Sequence, residues 1–214
     1  PEAVMGLATG SSPVGLYREL IRMNREGKLD FAKIRSYNLD EYYPIQPDNE
    51  QSYHYFMAQN LFNHINIDKA NVHVPDGRAG DVEEACRAYE AALNELGGVD
   101  VQVLGIGHNG HFGYNEPGTQ FDTLTRVQTL APATRRQLAD TFGGEDKVPE
   151  RAVTMGIKTL TDARDIAVLA LGKDKAGAVF QMLYARDDSV IPAAFLQIPM
   201  NVEVFCDKDA SSML

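Results

Sequence analysis

Short apolar runs alternate along the chain with longer segments in which apolar residues recur at helical spacing. A strand followed by a helix, repeated in this way, predicts an α/β fold. We expect three layers, with helices on both faces of a mostly parallel, modified Rossmann-like sheet. The predicted strands are residues 3–8, 34–39, 72–74, 99–105, 126–130, 166–171 and 202–206, and the predicted helices are 13–26, 52–64, 82–96, 132–142 and 174–185.

Composition limits the possible partners. With 214 residues, 44% of them hydrophobic, the chain can bury a core as one domain covering residues 1–214. The net charge is −10 and the lysines and arginines are scattered, which argues against nucleic acid and membrane as partners. The longest apolar run, 166–171, is too short to cross a bilayer, so we expect a cytoplasmic protein. A strand pattern begins within a few residues of the start of the given sequence, so we expect further residues upstream.

The two cysteines lie far apart in sequence and neither has a close second cysteine. Cys86 falls in a helical pattern and Cys206 ends a strand-like run, so we expect both to be buried, reduced thiols. His108, His111 and Glu116 can be interpreted as metal ligands, but their loop matches no zinc spacing. We therefore expect no metal and no other cofactor.

The stretch 105–118 (GIGHNGHFGYNEPG) concentrates reactive side chains directly after a predicted strand. Its five glycines allow sharp turns and close approach of the backbone to a ligand. Its two histidines can exchange a proton near neutral pH. Residues 105–110 also satisfy the dinucleotide pattern GxGxxG, but the residues that follow cannot easily form the helix which that fold needs. The stretch therefore favours a reactive loop over a dinucleotide site.

Two strand-to-helix turns are candidate anion sites. In residues 6–13 (GLATGSSP), free N–H groups at a helix start and small hydroxyl side chains favour a phosphate. The alternative is a plain turn in which Ser12 caps the helix and Pro13 begins it. In residues 171–176 (LGKDKA), Lys173 and Lys175 stand at another helix start, either as a phosphate clamp or as solvated lysines beside Asp174.

Two carboxylates, Asp40 and Glu41, follow the predicted strand 34–39. Because strand side chains alternate between faces, we expect these two to point in different directions. One can enter a cleft as a base while the other stays outside. The alternative is that both are solvated loop residues.

Several segments together resemble the glucosamine-6-phosphate deaminase family. They are residues 7–13, 38–42, 105–111, 115–117 and 171–176, extended by 52–57, 60–64, 148–149 and 154–156, and their order and spacing match along nearly the whole chain. The resemblance implies a cofactor-free isomerisation with deamination, in which glucosamine 6-phosphate and water give fructose 6-phosphate and ammonia. The implied partner is therefore a small amino-sugar phosphate.

The resemblance also assigns roles to individual residues. His111 would move a proton between the anomeric hydroxyl and the ring oxygen, with Glu116 on its other nitrogen and Asn109 orienting the group. Asp40 would be the base that moves a proton from C2 to C1. The implied phosphate ligands are Thr9, Gly10, Ser11, Ser12 and Lys175.

The chain departs from the family pattern in places. Asp140 stands where the family usually has an arginine that binds the phosphate, so Arg135 or Arg136 compensates, Asp140 points away, or the preferred sugar differs. Asn109 replaces an aspartate of many members, and an amide cannot titrate. At the effector site of allosteric members Arg126 is kept but Gln128 replaces a lysine, so we expect no activation by an N-acetyl sugar phosphate.

Three further expectations concern the same region and the alternatives. Paired glycines and charges between residues 138 and 149 predict a lid-like segment at about 126–153. Oligomeric state stays open. The rival functions are a 6-phosphogluconolactonase-like hydrolase, which the residues Tyr114–Pro117 disfavour, and a non-catalytic sugar-phosphate-sensing domain, which has no need of Asp40, His111 and Glu116 together.

Overall fold

The computed structural model describes residues 2–185 and 191–214. Within them the chain forms nine strands and six α-helices. The strands are β1 (Val4–Leu7), β2 (Arg35–Asn38), β3 (Asp40–Tyr43), β4 (Val72–His73), β5 (Val101–Gly105), β6 (Arg126–Thr129), β7 (Arg151–Thr154), β8 (Asp165–Ala170) and β9 (Val202–Cys206). The helices are α1 (Val14–Arg25), α2 (Tyr53–Asn60), α3 (Val82–Glu95), α4 (Pro132–Phe142), α5 (Ile157–Thr161) and α6 (Ala176–Tyr184).

The main sheet has six strands in the order β4-β2-β1-β5-β8-β9. All of its strand pairs are parallel, which confirms the α/β prediction. Parallel neighbours need a crossover between them, and most of the predicted helices supply one. The carboxyl ends of these strands therefore meet at one edge of the sheet, where loops from distant parts of the sequence come together.

Helices cover both faces of this sheet, as the predicted three layers require. On one face, α1 and α2 pack Tyr17 and Met57 against Leu7 and Val103 of the strands. On the other face, α3, α5 and α6 pack around Leu104 and further strand residues. Val103 and Leu104 are adjacent and serve opposite cores, because strand side chains alternate. Each such buried aliphatic side chain contributes about 1.5–3 kcal/mol.

A second, smaller sheet was not predicted from the sequence. It has three antiparallel strands in the order β3-β7-β6. Strand β3 reads DEYY and β7 reads RAVT, so neither shows the apolar run used to recognise strands. The helix α4 covers one face of this sheet and α3 the other, with Ala152 and Val153 of β7 pointing to opposite sides.

The chain passes from the main sheet into the second sheet through a single residue. Strand β2 ends at Asn38, β3 begins at Asp40, and Leu39 lies between them. The Leu39 N–H donates to the Leu7 carbonyl of β1 at 3.1 Å, and its own carbonyl accepts from the Met155 N–H, next to β7, at 2.8 Å. This residue therefore fixes the two sheets against each other and places Asp40 at their junction.

Two local predictions were wrong. Helix α1 begins at Val14 with Pro13 as its cap residue, and no side chain caps it, so Ser12 is not the helix cap. Cys86 is buried as expected, but Cys206 is exposed, because it ends the edge strand β9. The Ser12 hydroxyl is consequently available for other contacts.

Within the described residues, every helix is too short or too polar to cross a membrane. The same residues contain no cluster of three His, Cys, Asp or Glu side chains arranged to hold a metal ion.

Gly156, the cap residue of α5, lies against the chain that leads into β6. A Cβ atom there would meet the backbone oxygen of Thr123 at 2.0 Å. We predict that Gly156→Ala lowers the free energy of unfolding by about 3 kcal/mol, because backbone must move. Gly177→Ala is the control: it places a methyl group where nothing lies within 4 Å, inside α6, and should raise stability by roughly 0.5–1 kcal/mol. Urea unfolding measures both, and equal effects would contradict this packing.

Candidate active site

A cavity of about 710 Å³ opens at the carboxyl ends of the main-sheet strands. It lies where ligands bind in open α/β sheets. The loops after β1, β5 and β8 contribute to its wall, together with Leu39 and Asp40 at the end of β2. Of the predicted site residues, Thr9, Gly10, Ser11, Ser12, Asp40, His111 and Lys175 line it directly.

The turn after β1 presents unpaired donors to this cavity. Gly10 has φ +90°, a conformation that favours glycine. Among the described residues, no acceptor bonds the N–H groups of Gly10, Ser11 and Ser12. The buried Tyr17 hydroxyl donates to the Ala8 carbonyl and so holds the base of the turn. These donors stand just before α1, where the helix dipole favours an anion.

The turn after β8 adds a cation. Lys175 precedes α6, its side chain is 21% exposed, and its Nζ lies 3.0 Å from the Asp174 carboxylate. Gly172 at φ +92° turns the chain, and its N–H donates to the Asp207 carboxylate at 3.0 Å. Lys173 is exposed and does not line the cavity, so only one lysine of the predicted pair faces it.

Asp40 is a buried carboxyl group in the cavity wall, only 6% exposed. Burial, followed by the negative charge of Glu41, raises the pKa of Asp40 from 3.8 to about 8. Glu41 points to the other side of β3, as strand alternation predicts, and hydrogen-bonds to α2. A carboxyl group with such a pKa can both accept and return a proton near neutral pH.

Gly113 packs closely against Thr154, next to Asp40. It has φ +57°, and a Cβ atom there would meet the Thr154 hydroxyl at 2.9 Å and the Asp40 carboxylate at 3.7 Å. The Thr154 hydroxyl accepts from the Tyr114 N–H at 3.1 Å and ties the glycine loop to β7. Asp40 pairs with the same Thr154 across the second sheet. The loop and the carboxyl group are therefore held by one strand.

His111 is oriented by the Asn109 amide, and Glu116, which was expected on this imidazole nitrogen, lies beyond hydrogen-bond distance from it. The imidazole Nδ1 lies 2.6 Å from Asn109 Oδ1 and 3.8 Å from Glu116 Oε2. Asn109 Nδ2 donates to Glu116 Oε2 at 2.8 Å, which leaves its oxygen for the imidazole. Nδ1 therefore carries the hydrogen, and Nε2 has the lone pair. Asn109 and Glu116 lie behind His111, outside the cavity lining.

The imidazole of His111 lies flat against the backbone of Gly107. A Cβ atom at Gly107 would overlap three ring atoms at 2.3–2.6 Å, so only glycine fits there. Burial lowers the pKa of His111, and the Glu116 charge opposes that effect. The ring is thus a neutral proton acceptor at physiological pH.

Helix α4 closes the cavity on one side with Thr134, Gln137 and Leu138, which were not predicted as site residues. The Thr134 hydroxyl donates to Glu116 Oε1 at 2.6 Å, and Gln137 Nε2 lies 3.3 Å from His108 Nδ1. Tyr53 and Tyr114 also line the cavity, with their hydroxyls 2.6 Å apart. In the sequence, the signal for Tyr53 was its place in the family-like segment 52–57, and the signal for Tyr114 was its place in the reactive loop 105–118.

Asp140 is exposed on α4 and does not line the cavity. Of the three explanations for this substitution, the structure supports the one in which Asp140 points away. Arg135 does not replace the missing arginine, because its guanidinium donates to the Glu145 carbonyl at 3.1 Å, also outside the cavity lining. Arg136 is likewise absent from the cavity lining.

Comparison with known proteins places this arrangement in a family. Residues 1–205 match the family of glucosamine-6-phosphate isomerases and 6-phosphogluconolactonases. The chain belongs to this family. A glucosamine-6-phosphate deaminase of Clostridium perfringens (strain ATCC 13124) is 49% identical over the whole chain, which spans 88% of that relative. A deaminase of Thermoanaerobacter sp. (strain X514) is 45% identical over 100% of this chain and 85% of its own length.

Solved structures separate the two branches of this isomerase and lactonase family. A monomeric glucosamine-6-phosphate deaminase superposes with a TM-score of 0.96 at 43% identity, over 100% of this chain and 89% of that one. A 6-phosphogluconolactonase from Thermotoga maritima superposes with a TM-score of 0.74 at 25% identity, over 96% of this chain and 84% of that one. The chain is thus more similar to the deaminase branch.

The burial of Asp40 predicts a pH-dependent cost in stability. In the unfolded chain an aspartate ionises at about pH 4, whereas in the folded protein Asp40 does so near 8. Between these values the folded protein keeps a proton that the unfolded chain has lost, so stability falls as pH rises. We predict that Asp40→Asn is more stable than the parent above about pH 4. The difference in the free energy of unfolding should grow between about pH 4 and about pH 8, by up to roughly 1.4 kcal/mol per pH unit. Urea unfolding at several pH values measures it. A difference independent of pH would contradict the burial argument.

Proposed function

We propose that this protein is a glucosamine-6-phosphate deaminase, which converts glucosamine 6-phosphate and water to fructose 6-phosphate and ammonia without a cofactor. The observation that carries the proposal is that one cavity holds both anion-binding turns, the buried carboxyl of Asp40 and the oriented imidazole of His111. A six-carbon sugar phosphate has a phosphate dianion, a ring that must open and a carbon that must lose a proton. The two turns suit the phosphate, His111 suits the ring opening, and Asp40 suits the proton transfer.

The phosphate end of the substrate would bind at the two turns. The free N–H groups of Gly10, Ser11 and Ser12 supply hydrogen bonds, and Lys175 supplies charge. Binding a dianion that does not react positions the carbons that do. The turn after β1 therefore acts as the anchor from which the sugar chain reaches Asp40.

His111 would open the sugar ring. Its Nε2 lone pair accepts the proton of the anomeric hydroxyl and returns it to the ring oxygen, which leaves the open-chain aldehyde. Asn109 holds the ring with Nδ1 protonated, so Nε2 is the nitrogen free to accept a proton. Glu116, acting through Asn109, stabilises the imidazolium that forms briefly.

Asp40 would then carry the proton between carbons. Its carboxylate removes the C2 proton of the aminoaldehyde, and its carboxylic acid form returns a proton to C1. The C1 oxygen becomes a hydroxyl by taking the proton that the C2 amine loses, and the amine thereby becomes an imine. Water then hydrolyses the imine to the ketone and ammonia. A pKa of about 8 suits both halves of this transfer.

The rival functions receive less support. The lactonase alternative is weakened by the lower similarity to the lactonase structure and by the deaminase-like residues Tyr114–Pro117. A non-catalytic sensor would gain nothing from a carboxyl group held buried at a cost in stability.

We also propose that α4 is the lid. The two ends of the predicted lid segment are β6 and β7, fixed in a sheet, so the movable part is the helix and the turn after it.

Ammonia release from glucosamine 6-phosphate tests the proposal. We expect turnover by the parent chain, a fall in kcat on the order of 10³-fold in Asp40→Asn, and a fall of roughly 10²-fold in His111→Gln. Glu50→Gln, which changes an exposed acid, is the control and should keep full activity. Turnover unchanged in either site variant would remove that residue from the mechanism, and a parent chain that releases no ammonia would refute the proposal.

A second experiment tests the phosphate anchor. Lys175→Met should raise KM by about 10–100-fold, because a charge-assisted contact to the phosphate is lost. Asp140→Ala is the matched control on α4 and should leave KM within about twofold, since Asp140 is exposed and outside the cavity lining. A large effect of Asp140→Ala on KM would place this residue at the ligand.

A further inference from the structure

Behind Asp40 lies a second carboxylate that the proposed mechanism does not use. Glu41 is fully buried, on the opposite side of β3 from the cavity. Its Oε1 accepts from the N–H groups of Tyr42 and Tyr53, both at 2.9 Å. Its Oε2 accepts from the His54 N–H at 3.0 Å and lies 2.9 Å from His54 Nδ1. Both oxygens are therefore fully engaged.

The geometry of this pair favours one arrangement of the protons. Three backbone N–H groups donate to the two oxygens of Glu41, and such donors favour the ionised carboxylate. An ionised carboxylate only accepts hydrogen bonds, so His54 Nδ1 is the donor. Of the three backbone donors, those of Tyr53 and His54 belong to the first turn of α2, where the helix dipole also favours a negative charge.

The surroundings leave Glu41 as the charge that Asp40 senses most. Five tyrosines also interact with Asp40, but each has its pKa raised by burial and is neutral near physiological pH; they are Tyr17, Tyr42, Tyr53, Tyr89 and Tyr114. On the far side, His54 is 35% exposed and shares a cavity of about 160 Å³ with Asp76 and Arg78.

We propose that Glu41 and His54 form a positioning pair that holds the Asp40 strand against α2 and sets the negative charge that Asp40 faces from behind. The idea that Asp40 is the catalytic base rests on the proposed function. Neither partner reaches the cavity, so both act through Asp40 and through Tyr53, whose N–H bonds Glu41 and whose ring lines the cavity. Burial and, after it, the charge of Glu41 raise the pKa of Asp40, and the His54 donor offsets some of that charge.

Removing the charge of Glu41 and removing the donor of His54 should therefore shift the titration midpoint of Asp40 in opposite directions. Glu41→Gln removes the negative charge and should lower the titration midpoint of Asp40 by about one pH unit. His54→Phe removes the donor, leaves Glu41 less compensated, and should raise the midpoint by roughly half a unit. General loosening of the fold cannot produce shifts of opposite sign. Glu50→Gln, the exposed control, should produce no shift.

The experiment is NMR titration of ¹³C-carboxyl-labelled aspartate in the whole chain without ligand, with Asp40→Asn used to assign the signal. The same variants are then compared in pH profiles of kcat and KM for ammonia release. We expect the acid limb of the kcat profile to move with the Asp40 midpoint, while KM changes less than about twofold because neither partner lines the cavity. The substrate amine titrates identically in every variant, so differences between profiles report on the protein.

Each outcome decides between the two proposals. Midpoints that stay unchanged, or that move in the same direction in both variants, overturn the positioning pair even when the parent chain is fully active. Opposite shifts with no ammonia release by the parent chain support the pair and refute the deaminase proposal. Glu41→Gln leaves a side-chain amide facing backbone donors, so this variant can fail to fold. His54→Phe keeps those backbone bonds, and in that case an unchanged midpoint in His54→Phe alone overturns the pair.

Discussion

The site depends on the passage of one strand out of the main sheet. Leu39 is the single residue between β2 and β3, and its backbone bonds both sheets. Because no loop intervenes, Asp40 cannot turn out into solvent, and it takes its place at the corner where the two sheets meet. The proposed phosphate-binding turn after β1 and the glycine loop after β5 lie at the same edge of the sheet. These two loops come together because the strands are parallel. The Asp40 carboxyl group is buried because no loop separates β2 from β3.

The chemistry and the stability of this corner oppose each other. A carboxyl group with a pKa near 8 is useful for moving protons between carbons, and it has that pKa because it is buried beside Glu41. The same burial lowers the stability of the fold wherever Asp40 must ionise. Hydrogen bonds compensate nearby: Glu41 is satisfied by α2, and His111 is held by Asn109. The hydrogen bonds around the proposed base therefore hold the buried Asp40 carboxyl group in place despite its cost in stability.

The sequence predicted the main sheet because its strands are apolar and its helices have clear periodicity. It predicted the residues of the site through the family-like segments, and the structure brings both turns, Asp40 and His111 to one cavity. It could not predict the second sheet, since DEYY does not read as a strand and β3 is recognisable only from its pairing with Thr154. It gave Asn109 an orienting role but did not place its amide between His111 and Glu116, because spacing alone does not tell which of two acceptors faces an imidazole.

The central claim is that a single sugar phosphate spans the cavity from the turn after β1 to Asp40. A crystal structure of the protein with an open-chain six-carbon amino-sugar alcohol 6-phosphate tests it most directly, because this compound cannot react or close its ring. We expect the phosphate to bind the N–H groups of Gly10, Ser11 and Ser12 beside Lys175. We expect C2 of the compound to lie within about 3.5 Å of an Asp40 oxygen. A phosphate bound elsewhere, or a C2 atom that faces away from Asp40, would contradict it.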